Sequence, residues 1–101
     1  MIRTATDVRR AANEAGSPFF SPATMRFFNS RLLNVFRALN DDGTHGLFVT
    51  SDRFDGDTPR EYRVRLYRFD MASAHPFNVD TLECFATRSQ AETFVRNYEA
   101  E

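Results

Sequence analysis

The stretch Glu61-Tyr62-Arg63-Val64-Arg65-Leu66-Tyr67-Arg68-Phe69 decides the fold. Tyr62, Val64 and Leu66 alternate with Glu61, Arg63, Arg65 and Tyr67, and a period of two puts the first set on one face of a β-strand and the second on the other. The alternation then slips, with Arg68 on the apolar side and Phe69 on the polar side. This predicts a bulge near Leu66-Tyr67, or a strand leaving its sheet. A strand with one apolar face belongs to an antiparallel sheet packed on one side. Upstream, the polar loop Asp52 to Pro59 separates this strand from Leu47-Phe48-Val49-Thr50. The run Asn40-Asp41-Asp42-Gly43-Thr44-His45-Gly46 has the composition of a hairpin loop, and a strand from Arg31 leads into it. In that strand Leu33, Val35, Arg37 and Leu39 alternate with Leu32, Asn34, Phe36 and Ala38; neither set is wholly polar, as in a strand covered on both faces at one end. Downstream, a connector from Asp70 to Phe77 precedes a candidate fourth strand, Val79 to Phe85.

Helices flank the strands. Val8, Ala12 and Ala15 recur at helical spacing, Thr4 or Thr6 is available as N-cap, and Asp7 favours the positive end of the helix dipole. Gly16 with Ser17-Pro18 stops that helix after about ten residues. In Phe20-Ser21-Pro22-Ala23-Thr24-Met25, Ser21 reads as an N-cap, Pro22 as the first helical residue, and Phe20 with Met25 as a hydrophobic staple. A second helix of about two turns follows, plugging one end of the core. Near the end of the chain, Ser89 with Glu92 forms a capping box, with Thr87 and Gln90 as the competing register. Ala91, Phe94, Val95 and Tyr98 make the apolar stripe. The expected fold is a single two-layer α+β domain over residues 1–101. It has two N-terminal helices, an antiparallel sheet of three or four strands whose other face is partly open, and one C-terminal helix.

Composition limits the function. The chain has 101 residues, 13 basic against 14 acidic, and a net charge of -1, so it is no polycation built for nucleic acid. Every basic side chain is arginine, and 11 Phe and 3 Tyr occur without a Trp. The single cysteine, Cys84, fits a reducing cytoplasm and excludes an intrachain disulfide framework. No run approaches a membrane span and the start lacks a secretory apolar region, so the expected location is cytoplasmic, with no membrane partner.

The run Phe19-Phe20-Ser21-Pro22-Ala23-Thr24-Met25-Arg26-Phe27-Phe28-Asn29-Ser30-Arg31 resembles the opening signature of a family of small uncharacterised bacterial proteins carried on phages, prophages and plasmids. Phe48-Val49-Thr50-Ser51, Tyr62-Arg63-Val64-Arg65 and Phe85-Ala86-Thr87-Arg88-Ser89-Gln90-Ala91 are similar to its later motifs, and the likeness runs from about Val8 to Tyr98. The resemblance implies an accessory protein of mobile elements and carries no activity, cofactor or catalytic residue with it.

The residues themselves offer little assembled chemistry. His45 and His75 fall in loops, away from any nucleophile that they could activate. Cys84 lacks a neighbouring helix N-terminus or basic cluster and reads as a buried small hydrophobe. One Cys and two distant His make no zinc site, and Asp52, Asp55 and Asp57 around Gly56 lack the ordered ligands of a calcium loop, leaving a solvated turn. The glycines do not cluster as phosphate loops require, so no metal and no cofactor is expected. The order helix, three strands, helix matches the double-stranded RNA-binding module at fold level, but Arg88 is the sole basic residue before Glu92 in the last helix.

Arginines remain. Arg63, Arg65 and Tyr67 share a strand face on which guanidinium forks and a ring suit phosphates and unstacked bases; the competing use is cross-strand pairing with acids such as Glu83. Arg26, between Met25 and Phe27-Phe28, has a stem suited to partial burial and a head suited to a carboxylate or a ring. The sequence therefore points to a non-enzymatic binding protein whose partner is a protein or a second copy, with Arg63, Arg65, Tyr67 and Arg26 as candidate binding residues. The alternative is a nucleic-acid-binding domain using the Arg/Tyr sheet face.

Overall fold

A computed structural model of the chain describes residues 2–16, 31–53, 59–70, 72–74 and 76–99. The expected second helix and Arg26 within it lie outside the described residues, as do His75, Asp55 and Asp57. Helix α1 (Ala5–Glu14) is followed by strands β1 (Arg31–Ala38), β2 (His45–Asp52), β3 (Glu61–Phe69) and β4 (Phe77–Phe85), then by helix α2 (Arg88–Asn97). The strands form one antiparallel sheet in chain order, β1-β2-β3-β4. The fourth strand is real, and it starts two residues earlier than its sequence signal.

The helices lie on opposite faces of the sheet, which replaces the expected two layers by three. In β2, Leu47 and Val49 join Val64, Leu66, Ala91 and Val95 in one core, beneath α2. The intervening Phe48 joins Tyr67, Phe77, Val8, Ala12 and Ile2 in a second core, beneath α1. The face expected to be partly open is thus packed by α1 over the Tyr67 end. Tyr67 and Phe48 are fully buried, and each such side chain is worth about 1.5–3 kcal/mol of apolar burial.

Tyr67 organises this second core. Its ring stacks on Phe77, with centroids 5.8 Å apart and planes 1° from parallel, and on Phe36 at 6.1 Å, while Phe48 tilts against it at 6.3 Å. Its hydroxyl donates a 2.7 Å hydrogen bond to the carbonyl of Gly43 in the β1–β2 loop. Burial pushes the phenol well above its ordinary pKa, so it stays protonated and able to donate. Two glycines make room. Gly46 lies against this ring and the carbonyl of Arg37, where a Cβ would approach within 2.6 Å of that oxygen. Gly43 has φ +66° and passes so close to the Ile2 carbonyl that any side chain would collide with it. Asn40 closes the same loop, its Oδ1 accepting from the Thr44 and His45 amides at 3.0 and 3.4 Å.

The irregularities of the sheet lie in its outer strands. The β2–β3 register runs unbroken from His45↔Arg68 to Asp52↔Glu61, so no bulge interrupts Leu66-Tyr67 on that side. Phe69 continues the α1 face and packs on Phe77, while Arg68 points to solvent at the strand end. The extra residue sits in β4, where the partners of Val64 and Arg65 are Glu83 and Thr81 and Leu82 is skipped. In β1 the register shifts between Leu32 and Phe36, which pair with Thr50 and Phe48.

Both helices are capped at their N-termini by threonine. Thr4 Oγ1 accepts from the Asp7 amide at 3.1 Å, and Asp7 Oδ2 accepts from the Arg3 amide at 3.0 Å. In α2 the Thr87 register prevails over Ser89: Thr87 Oγ1 accepts from the Gln90 amide at 3.2 Å, and Glu92 instead pairs with Arg88 at 2.7 Å. The C-terminus of α2 has no glycine. Arg37 reaches across from β1, its Nη1 donating to the carbonyls of Val95, Arg96 and Tyr98 at 2.9, 3.1 and 2.7 Å. A cation at the negative end of the dipole satisfies carbonyls that the helix itself leaves open.

Arg37→Ala is therefore expected to destabilise the domain by about 1.5–3 kcal/mol, the range for hydrogen bonds to a charged group, with loss of amide protection concentrated in the last turn of α2; urea denaturation and hydrogen exchange measure both. The Arg3 amide is the main cause that lowers the Asp7 pKa. Asp7 then stabilises the fold fully above the ordinary carboxylate value and loses that contribution as pH falls through its depressed folded-state value. Asp7→Asn should flatten this acid limb of the stability curve without altering its neutral-to-alkaline shape, as followed by thermal melting against pH.

Candidate functional site

Beyond the Tyr67 cluster, the α1 face of the sheet becomes polar. Thr50 and Asp52 of β2 lie beside Arg63 and Glu61 of β3, and Cys84 and Thr81 of β4 face Arg63 and Arg65. Arg65 is the centre of this end. Its Nε donates to Thr50 Oγ1 at 3.1 Å, its Nη1 to Thr81 Oγ1 at 2.6 Å, and its Nη2 to Asp52 Oδ2 at 3.4 Å. Thr50 in turn donates to Asp52 Oδ2 at 2.8 Å. The side chains of Arg65 and Asp52 are only 11% and 9% exposed. Burial lowers the Arg65 pKa, with the Asp52 charge opposing that shift. A guanidinium still keeps its proton in such a site, so the pair is a charged one held out of water.

Arg63 sits at the edge of this network, its side chain 31% exposed, and its Nη2 meets Glu61 Oε2 at 3.2 Å. The Cys84 thiol donates to the same oxygen at 3.2 Å, and these two bonds, the thiol's first, hold the Glu61 carboxyl below its usual value. Cys84 is exposed rather than buried, because β4 is an outer strand and its bulge leaves the sulfur beside Arg63. Desolvation and then the Glu61 bond push the thiol up, which favours the protonated, weakly nucleophilic form at neutral pH.

The sequence brings Arg63, Arg65 and Tyr67 to one face as expected, and the structure assigns them three different environments. Tyr67 is enclosed in the core, Arg65 is bound to Asp52, and Arg63 keeps a partly accessible guanidinium. The acids that pair with them are Asp52 and Glu61, from β2 and the start of β3, not Glu83. Among the described residues no group of three or more His, Cys, Asp or Glu is placed to hold a metal, and no helix is long and apolar enough to cross a membrane.

A second feature lies on the opposite, α2 side. Phe85 at the end of β4, Phe94 and Tyr98 form a row of half-buried rings, with centroids 5.5 Å apart for Phe85–Phe94 and 5.8 Å for Phe94–Tyr98. With Gln90, Thr93 and Asn97 they line a groove of about 790 Å³, with Glu99 at its rim. The sequence read Phe94 and Tyr98 only as a core stripe. The signal for the groove is that Phe94 and Tyr98, four residues apart, stand one position to the side of Ala91 and Val95, the two residues of the helix that are fully packed.

The described residues therefore form an α+β fold: a four-stranded antiparallel meander carrying one helix on each face, with a buried arginine–aspartate network at one end and an aromatic groove beside its last helix. The chain belongs to DUF7447, a family of unknown function, which it matches over residues 4–98. No curated protein and no solved structure matches the chain.

Breaking the network from one side strands a buried charge. Arg65→Met is expected to destabilise the domain by about 3–5 kcal/mol, and combining it with Asp52→Leu should recover much of that loss. A double-mutant cycle by chemical denaturation checks this. Additive losses would show that the two side chains do not act as a pair.

Proposed function

We propose that this chain is a non-enzymatic binding protein of the cytoplasm, that its partner is a protein or a second copy of itself, and that it serves as an accessory protein of a mobile element. The observation that carries the protein-binding reading is the row Phe85, Phe94 and Tyr98. These rings contribute to the core beneath α2 with one side and leave the other side to the groove. Rigid aromatic side chains that can be enclosed by a partner are the residues around which protein interfaces concentrate their binding energy. Membership of a family of unknown function is consistent with this reading and adds no activity; the role in mobile elements rests on the sequence resemblance alone. Nucleic-acid binding through Arg63, Arg65 and Tyr67 ranks second, because on that row of three only Arg63 offers an accessible guanidinium and Glu61 already holds it.

Thr93 tests the first reading without touching the core, since it is exposed on the helix and lines the groove. Thr93→Arg should fill the cleft and weaken partner retention by about tenfold or more, whereas Arg63→Ala should leave it unchanged. The measurement is a pull-down from cells that carry the protein, with light scattering to detect self-association. A strict monomer that retains nothing, or equal retention by wild type and Thr93→Arg, counts against the proposal. Salt-sensitive binding of DNA or RNA that is lost in Arg63→Ala would move the second reading ahead.

A further inference from the structure

Among the described residues the outer side of β4 pairs with no further strand and continues the aromatic groove, and its charges define what would lie there. β4 is an outer strand of the sheet, nine residues long, and ends at Phe85, the first ring of the groove. The other outer strand, β1, breaks its ladder between Leu32 and Phe36. Along β4 the only charged residues are two acids, Asp80 and Glu83. The register pairs them with Leu66 and Val64, which places both on the α2 side, the side of the groove.

Among the described residues neither acid has a cation partner. Glu83 accepts only the Cys84 amide, at 3.4 Å, and Asp80 has no side-chain bond. The nearby arginines are engaged elsewhere: Arg63 with Glu61, Arg65 with Asp52, Arg88 with Glu92. Arg68 stands opposite Asn78, beyond Asp80. Glu99 adds a third carboxylate at the groove rim. The β4 side of the sheet is thus an edge carrying unpaired negative charge that runs into an aromatic cleft.

From this juxtaposition we infer that β4 takes up an extended basic segment of another protein as a fifth strand. This rests on the protein-binding reading and specifies its partner. The bulge at Leu82 brings Asp80 and Glu83 to the spacing of alternate positions on one face. The matching segment therefore carries Arg or Lys at two alternate positions, and an aromatic or branched apolar residue at the next alternate position, opposite Phe85. Main-chain pairing to the edge supplies affinity, and the side chains on one face supply selectivity. A second copy of this chain fits poorly, since pairing β4 with β4 brings four carboxylates and no cation into one strand pair.

The test uses the full chain and two synthetic peptides, one repeating Thr-Arg-Thr-Arg-Thr-Tyr and one with Glu in place of Arg. The Arg peptide should bind, shift the amide resonances of β4 and of the Phe94–Tyr98 turn, and protect β4 amides from exchange. Affinity should fall about tenfold or more in the Asp80→Arg, Glu83→Arg double variant, which should in turn prefer the Glu peptide. Equal affinity for both peptides, shifts confined to other surfaces, or concentration-dependent β4 shifts without peptide would each overturn the inference, the last in favour of a second copy. If a partner is retained through the Thr93-sensitive groove while the Arg peptide is not preferred, only the basic-strand inference fails. If nothing is retained and neither peptide binds, the protein-binding reading fails with it.

Discussion

The buried ring of Tyr67 is the constraint on which the α1 half of the molecule depends. It is a β3 side chain, yet it contacts Phe36 of β1, Phe48 of β2 and Phe77 of β4, and its hydroxyl holds the loop between β1 and β2. Few positions touch all four strands. α1 offers this surface only small or short residues, Ala5, Val8 and Ala12, so the bulk that fills the space comes from the sheet. The absence of a side chain at Gly46 lets the ring lie flat, and the positive φ of Gly43 presents the carbonyl that accepts its hydrogen bond.

How much of this was legible in the sequence differs from element to element, for physical reasons. The alternation from Glu61 to Tyr67 marks the body of β3 even though it slips at Arg68 and Phe69, and the caps and period of α1 place that helix. β4 was harder, because Leu82 beside Glu83 breaks the alternation where the bulge occurs. Least legible is the polar face of β3. Arg63, Arg65 and Tyr67 look like a solvated face, since one strand alone cannot show that Asp52, fifteen residues from Tyr67 in sequence, neutralises Arg65 across the β2–β3 pair. The groove was hidden for the opposite reason: an apolar stripe on a helix looks the same whether a ring is wholly enclosed or half so.

The all-arginine composition also takes on structural meaning at two places. Arg37 and Arg65 each reach three acceptors, backbone carbonyls in one case and Thr50, Thr81 and Asp52 in the other. In Arg65 three different nitrogens of one planar group are used, a geometry that a lysine ammonium cannot reproduce. The same chain places other arginines, such as Arg9, Arg10 and Arg96, on exposed helix surfaces where any solvated cation would serve.

The approach of the Ile2 carbonyl to Gly43 shows how the start of the described chain is tied into the sheet. The strands form a meander in which each pairs with its neighbour in sequence, so the sheet itself needs only short chain closures. α1 cannot do the same. Its supports, Phe36, Phe48, Tyr67 and Phe77, are spread over β1 to β4, and Gly43, which meets Ile2, lies beyond β1 in the β1–β2 loop. Helix α1 thus rests on a surface that all four strands build together, so its packing is tied to long-range contacts and is complete only when the whole sheet is.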